Sequence, residues 1–295
     1  MLSDGWHLTQ NVDDFLARAG DFLCSRAALH NTLLTDIAKL RVRGAADTAD
    51  DAAVFGRLES AGEVRAIFCL TARGRLGLTP LSAGQTDSLA AHLAGLGHPP
   101  TGVIADRATA GAFAESWRQH TGAASLPFWR THLYRLGTLT PPQPSPEGQG
   151  RVTDGKDRGQ VVRWCREFCV EVGEQHSIDM IDAGGWEDSR FGDRHFTFWE
   201  TPQGTPVSMA ASTSVVGGMV RVDPVYTPAR LRGRGYAGAV TVEASRAALD
   251  AGATDVVLYT DPDNPTSNAL YRRIGYVHVA DFAGHKFSYD APEPG

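Results

Sequence analysis

Val225-Tyr226-Thr227-Pro228-Ala229-Arg230-Leu231-Arg232-Gly233-Arg234-Gly235-Tyr236-Ala237 reads as a strand that runs into a helix. The strand spans Met219 to Tyr226. The helical pattern opens near Gly233 and continues to Ala251, where Gly252 suits a left-handed C-terminal cap. Glycines at 233 and 235 remove side chains where a backbone must approach a ligand closely. The free N–H groups and the dipole at the start of such a helix favour an anion, a pyrophosphate for example. Arg230, Arg232 and Arg234 concentrate positive charge at the same point. No Gly-Lys-Ser/Thr follows, so this is not a P-loop. No extended basic or aromatic platform accompanies the arginines, which argues against a nucleic-acid surface.

The flanking sequence has a definite order. Val161, Trp164, Cys165, Phe168, Cys169 and Val172 recur at helical spacing and mark an amphipathic helix. Phe196–Glu200 and Val207–Thr213 flank Pro202-Gln203-Gly204 as a hairpin. After the long helix come a short apolar strand, Val256–Tyr259, a helix over 266–274 ending at Gly275, and two strands near 276–281 and 285–289. Between strand and final helix lies Asp261-Pro262-Asp263-Asn264-Pro265-Thr266-Ser267-Asn268-Ala269-Leu270-Tyr271-Arg272-Arg273-Ile274-Gly275-Tyr276.

Both segments resemble the GNAT superfamily of N-acyltransferases over about residues 150–290. Arg232-Gly233-Arg234-Gly235-Tyr236-Ala237 is similar to that family's [Q/R]-x-x-G-x-[G/A] loop. Arg230–Gly235 fits it in a second register, but the first starts the helix where the family does. The segment 261–276 is similar to the family's Asn-x-x-[S/A]-x-x-Leu-Tyr-x-x-x-Gly-[F/Y] element. The resemblance implies an acetyl-CoA-dependent N-acetyltransferase with no metal, in which a primary amine of a small molecule attacks the thioester directly in a ternary complex. A protein or peptide amine is the alternative acceptor, and an acyl-CoA-binding regulator without turnover is the non-enzyme alternative.

The resemblance also carries residue roles. Backbone groups of Val225, Tyr226 and Thr227 would hold the pantetheine arm as an added strand, one N–H serving the thioester oxygen. Arg232, Gly233, Arg234, Gly235, Tyr236 and Ala237 would cradle the pyrophosphate. Tyr271 matches the tyrosine that protonates the leaving thiolate, and packing in its helix is the other role open to it. Asn264 and Asn268 would bond the CoA arm, unless Asn264 caps its helix. The base is open between Glu200, Asp223, Glu174, His176 and a chain of waters. Acceptor choice rests on the loops of residues 174–195, which show no readable motif.

The 295 residues suggest two domains at roughly 150 residues each. Thr138–Gly150, with four prolines and two glycines, reads as a Pro-rich linker over 138–150. It separates a catalytic acyl-CoA-binding domain, 151–295, from a first domain, 1–137. The first half reads as helices over 12–24 and 27–41, strands at 64–71 and 75–78, a helix over 86–94, a strand at 102–104, a helix begun by Asp106 and a strand over 128–136. This is the pattern of a degenerate GNAT-like α/β domain, structural or acceptor-binding, so the expected fold is α/β (α+β). Its architecture would be two tandem GNAT-like domains, each a mixed, mostly antiparallel twisted sheet flanked by helices. Mycothiol synthases are one tandem arrangement it resembles. Arg73-Gly74-Arg75-Leu76-Gly77 echoes the loop, but a strand follows, so it reads as a hairpin.

Composition narrows the rest. A net charge of −6 argues against bulk electrostatic binding to DNA. No apolar run spans a bilayer, and the N-terminus lacks a signal-peptide pattern, so a cytoplasmic protein without membrane or nucleic-acid partners is expected. The four cysteines form no C-x-x-C, and Cys165 and Cys169 share a helix face as small apolar residues.

Overall fold

The computed structural model describes residues 5–43, 53–97 and 99–289. The first half of the chain runs β1 (Gly5–Thr9), α1 (Val12–Ser25), α2 (Asn31–Arg43), β2 (Val54–Ser60), β3 (Glu63–Leu70), β4 (Arg75–Leu78), α3 (Ala83–Ala94), β5 (Gly102–Asp106), α4 (Arg107–Thr121) and β6 (Ala124–Leu136). The second half runs β7 (Gln149–Val152), α5 (Arg158–Val172), α6 (Gln175–Asp182), β8 (His195–Glu200), β9 (Pro206–Ser212), β10 (Met219–Tyr226), α7 (Tyr236–Asp250), β11 (Asp255–Thr260), α8 (Pro265–Arg273) and β12 (Tyr276–Ser288). Short 3-10 turns aside, one order of strands and helices occurs twice. No described helix is long and apolar enough to cross a membrane.

Two compact units result, residues 1–133 with 279–295 and residues 134–278. In the first, β1 to β4 pair antiparallel in succession, β4 pairs parallel with β5, and β5 pairs antiparallel with the Phe282–Lys286 stretch of β12. In the second, β7, β8, β9 and β10 pair antiparallel in succession and β10 pairs parallel with β11. Both units therefore have the expected mixed, mostly antiparallel sheet with helices. Local sequence explains many helix ends. Asn11 caps α1 through its side chain, Asp106 caps α4 at Thr109 N, and α4 and α5 stop at Gly122 and Gly173, both at φ +74°.

The core of the second unit has two faces. Val240, Ala244 and Ala248 of α7 pack with Val207, Val220, Val222, Val256 and Leu258. On the other face Val161, Trp164, Cys165 and Cys169 of α5 meet Phe196, Phe198, Met209 and Tyr226. The α5 stripe thus lies where its spacing put it, except for Val172 at the helix end, which is exposed. All four cysteines are free thiols, and burial pushes Cys69 and Cys169 up to about 12, which makes them packing groups at neutral pH.

Several expectations need correction. The Pro-rich stretch is not a separator. Thr140 N bonds Ile274 O at 3.0 Å, the Trp199 indole donates to Glu147 O at 3.1 Å, and β7 begins within it at Gln149. The unit boundary falls instead inside β6 and β12, and the tail from Val279 belongs to the first unit. The two final strands are one. Gly284 is not a turn but lies mid-strand, where the Phe128 ring occupies the space of a Cβ at 2.7 Å. β1, β2, β7 and α6 went unread.

Candidate active site

β10 carries the site because it parts early from its neighbour. It pairs with β11 only over Met219–Arg221, opposite Asp255–Val257, although β11 continues to Thr260. With β9 it stays paired to Tyr226, through a register shift between Val222 and Val225. Pro224, at the shift, has no N–H to give a ladder. The extra residue reverses the facing of the strand beyond it. Val222 and Val225 both pack toward α7, whereas Tyr226 packs toward α5. Residues 222–226 consequently have no ladder partner in β11, and a ligand with amide groups can add there as a strand.

The following turn builds an anion cradle. Gly233 and Gly235 have φ +76° and +82°, a region that costs other residues roughly 1–2 kcal/mol. Gly235 is the N-cap of α7, and no side chain caps that helix. The first helical bond runs from Ala239 N to Gly235 O, so the N–H groups of Tyr236, Ala237 and Gly238 have no helical carbonyl to reach. Three amides at the positive end of a fifteen-residue helix fit a diphosphate. Arg230 and Arg234 are exposed beside them. Arg232 is otherwise engaged. Its Nε donates to Thr227 O at 2.9 Å and its Nη2 to both Glu171 oxygens, at 2.6 and 2.5 Å, so it staples the turn to α5.

Tyr271 sits at the edge of the α7-side core, 8% exposed, with its ring 6.1 Å from that of Tyr276. The Tyr276 hydroxyl is bonded to Ser245 Oγ at 2.7 Å, while the Tyr271 hydroxyl has no hydrogen bond among the described residues. Burial, and then the charge of Asp223, push Tyr271 above the ordinary tyrosine range. Its proton is held at neutral pH, as a proton donor requires.

Asp223 lies in the unpaired part of β10, amid arginines. Arg190 Nη1 bonds its Oδ2 at 2.9 Å, and Arg194 Nη2 lies 3.8 Å from the same oxygen. Burial raises Asp223, but Arg190, Arg194 and Arg221 together leave it below the usual aspartate value. A carboxylate so held is a weak base for an ammonium ion at neutral pH. Asp223 is thus a carboxylate held in its charged form by its arginines. Glu200 is elsewhere employed. Arg151 donates to its Oε1 through Nε at 2.9 Å, and the same guanidinium grips Asp157 at 2.7 and 2.9 Å, which ties β7 to the turn before α5. Glu174 lies 3.0 Å from Arg190 Nε, which puts it in the Asp223 cluster.

The asparagines are structural. Asn264 caps α8 at Ser267 N, 3.0 Å, the capping alternative of the sequence reading. Asn268 donates to Asp261 O at 2.9 Å and Asn264 O at 2.8 Å and accepts from Tyr134 at 3.0 Å, so its amide is used up within the fold. Gly275 is required there, because a Cβ would strike the Thr138 carbonyl.

A strand splayed from its parallel neighbour, followed by an uncapped glycine-rich helix start, points to an acyl-CoA site. Residues 160–276 match the model of the acetyltransferase (GNAT) family. The second unit holds a GNAT acetyltransferase domain. A search of curated proteins finds no significant match. Among solved structures, the chain is similar to a tandem GNAT protein from the clavulanic acid biosynthesis pathway. Identity is 15%, coverage 98% of this chain and 100% of that one, and TM-score 0.53. A GCN5-related N-acetyltransferase from Sphaerobacter thermophilus matches at 17% identity over 97% and 96%, TM-score 0.51. A GNAT-family acetyltransferase from Colwellia psychrerythraea matches at 10% over 97% and 99%, TM-score 0.54. At such identities these likenesses concern the fold, and they extend over both units.

In this GNAT domain the splay and the cradle bring Asp223, Val225–Thr227 and Gly233–Ala237 together along the end of β10 and the turn after it, and Tyr271 is close enough to feel the charge of Asp223. Glu200 is committed to the β7 edge, and Arg232, Asn264 and Asn268 to scaffolding. Sequence reading missed Arg190 and Arg194. Their only signal was two arginines four apart in a loop otherwise rich in Asp and Gly.

Proposed function

We propose that this GNAT domain transfers an acetyl group from acetyl-CoA to a primary amine of a small molecule, by direct attack in a ternary complex. The observation that carries the reading is the uncapped start of α7 beside the unpaired segment 222–226. The amides of Tyr236, Ala237 and Gly238 receive the pyrophosphate, and the main chain of Val225–Thr227 receives the pantetheine arm. Asp223 draws the acceptor as its ammonium form to the splay. Water takes its proton, the amine nitrogen bonds the carbonyl carbon, and the carbon–sulfur bond breaks. Tyr271 gives its proton to the departing thiolate, and the second proton lost by the acylated nitrogen returns to Tyr271 through solvent. The first unit serves as support, because its corresponding helix, α3, carries its own cap.

Thiol release from acetyl-CoA with a panel of amines tests this. Turnover should appear with primary amines and fall about a hundredfold or more in Tyr271→Phe, as expected for loss of a general acid. Acetyl-CoA affinity and thermal stability should stay close to wild type. Binding without release by the wild type would indicate a regulator, and unchanged turnover in the variant would remove Tyr271 from the reaction.

A further inference from the structure

We infer that the acceptor is an amine that also carries a carboxylate, bound through its anionic group by Arg194 while Asp223 holds the amine. This rests on the acyl-transfer reading above and adds the chemistry of the acceptor.

Arg194 ends the turn between α6 and β8. Its side chain is only 1% exposed, yet Nε and Nη1 have no hydrogen-bond partner, and Nη2 reaches no closer than 3.8 Å to Asp223 Oδ2. Asp193 and Asp223 act on its charge without bonding it, and burial followed by the charge of Arg221 pushes it down to about 10. It therefore remains a cation at neutral pH, buried with its hydrogen bonds unmade. Folded chains leave few such groups, and those they leave are completed by water, an ion or a ligand. The fork of a guanidinium matches a planar carboxylate in two places, Nε with Nη2 and Nη1 with Nη2.

The chain holds this group in place with care. Trp186 stacks on Phe191 at 6.1 Å, Ser189 Oγ bonds Trp186 O at 2.6 Å, and Arg194 N bonds Phe191 O at 3.1 Å. Both aromatic rings are buried in the α5-side core. A turn packed this firmly positions Arg194 more closely than folding of a surface loop requires.

Its neighbours fix what lies on the other side. Asp223 belongs to the β10 segment without a β11 partner, so an amine held there stands beside the backbone that takes the thioester arm. Acid and arginine separated by 3.8 Å match the ammonium and carboxylate of one zwitterion. Arg190, only partly buried, bonds the same carboxylate at 2.9 Å. An alkyl amine without a carboxylate would leave Arg194 as it is, with its hydrogen bonds unmade.

The test uses the full chain saturated with acetyl-CoA, binding of which is measured first. If acetyl-CoA does not bind, the acyl-transfer reading fails, apart from this inference. With acetyl-CoA bound, glycine and formate are titrated while the arginine Nε–H resonances are followed by ¹H–¹⁵N NMR, Arg194 being assigned by its loss in Arg194→Lys. A saturable shift of Arg194 is expected with both probes, and no shift with methylamine. In turnover, amines bearing a carboxylate should exceed their decarboxylated counterparts about ten- to a hundredfold in kcat/KM, the usual effect of a hydrogen bond to a charged group. Arg194→Met should erase that preference through KM with acetyl-CoA affinity unchanged. An unmoved Arg194 resonance, or equal rates for the two amine classes in the wild type, overturns the proposal even if the Met variant does not fold.

Discussion

The two units repeat one order of elements but join the third strand of their hairpins to the next helix differently. In the first, β4 leads into α3 through Thr79–Ser82, and Ser82 closes a capping box with Gln85. β4 is four residues long and pairs with β5 over three of them. In the second, β10 is eight residues long and also pairs over three, leaving five to diverge. The turn then runs through two left-handed glycines to a helix that no side chain caps. A capped helix start has spent one of its free amides on its own side chain, whereas an uncapped one keeps all of them for a ligand. Repetition of a fold thus does not repeat the turn that opens the helix.

The sharpest way to break this contrast is to spoil the uncapped turn. Gly235→Glu sets a carboxylate against the cradle and a Cβ at φ +82°. Acetyl-CoA binding should weaken more than about a hundredfold, since charge, strain and close approach all oppose it. Calorimetric titration checks it, and a melting curve separates lost binding from lost folding. An affinity equal to wild type would mean that acetyl-CoA sits elsewhere.

The mirror substitution in the first unit should do something different in kind. Ser82→Ala removes the cap of α3 and should cost about 1 kcal/mol of stability, in line with other N-caps. Acetyl-CoA affinity should not move. Urea unfolding and the same titration read both quantities, and a binding loss here would give the first unit a share in the cofactor site.

A smaller effect concerns Asp223, which has no counterpart in the capped turn. Its folded carboxyl titrates below the ordinary value of 3.8. The stability contributed by its arginine contacts is therefore full above that pH and fades as pH falls through the lower, folded value. Thermal melts between neutral pH and acid should show a shallower acid decline in Asp223→Asn than in the wild type. Parallel curves would mean that Asp223 is not held by those arginines.

Sequence made the second unit's skeleton legible because its signals are local. Glycine before a helix, Asn264 at a helix start and the apolar stripe of α5 act within a few residues of themselves. What escaped reading depends on distant partners. The break expected between strands 276–281 and 285–289 closes once the Phe128 ring is known to lie on Gly284. Glu200 looks like a candidate base until Arg151 is found holding it. Arg194 looks like one surface charge among many, and only burial makes it distinctive. The Pro-rich stretch misled for the same reason, since the Ile274 carbonyl and the Trp199 indole that bond its main chain come from far along the chain. Composition cannot report such bonds.

The central claim is that one repeat binds acetyl-CoA and the other does not, because of how each opens its helix. A crystal structure of the full chain grown with excess acetyl-CoA tests it most directly. The account predicts one molecule per chain, its pyrophosphate on the amides of Tyr236, Ala237 and Gly238 and its pantetheine arm along residues 222–226. A molecule bound at the start of α3, or one in each unit, would contradict it.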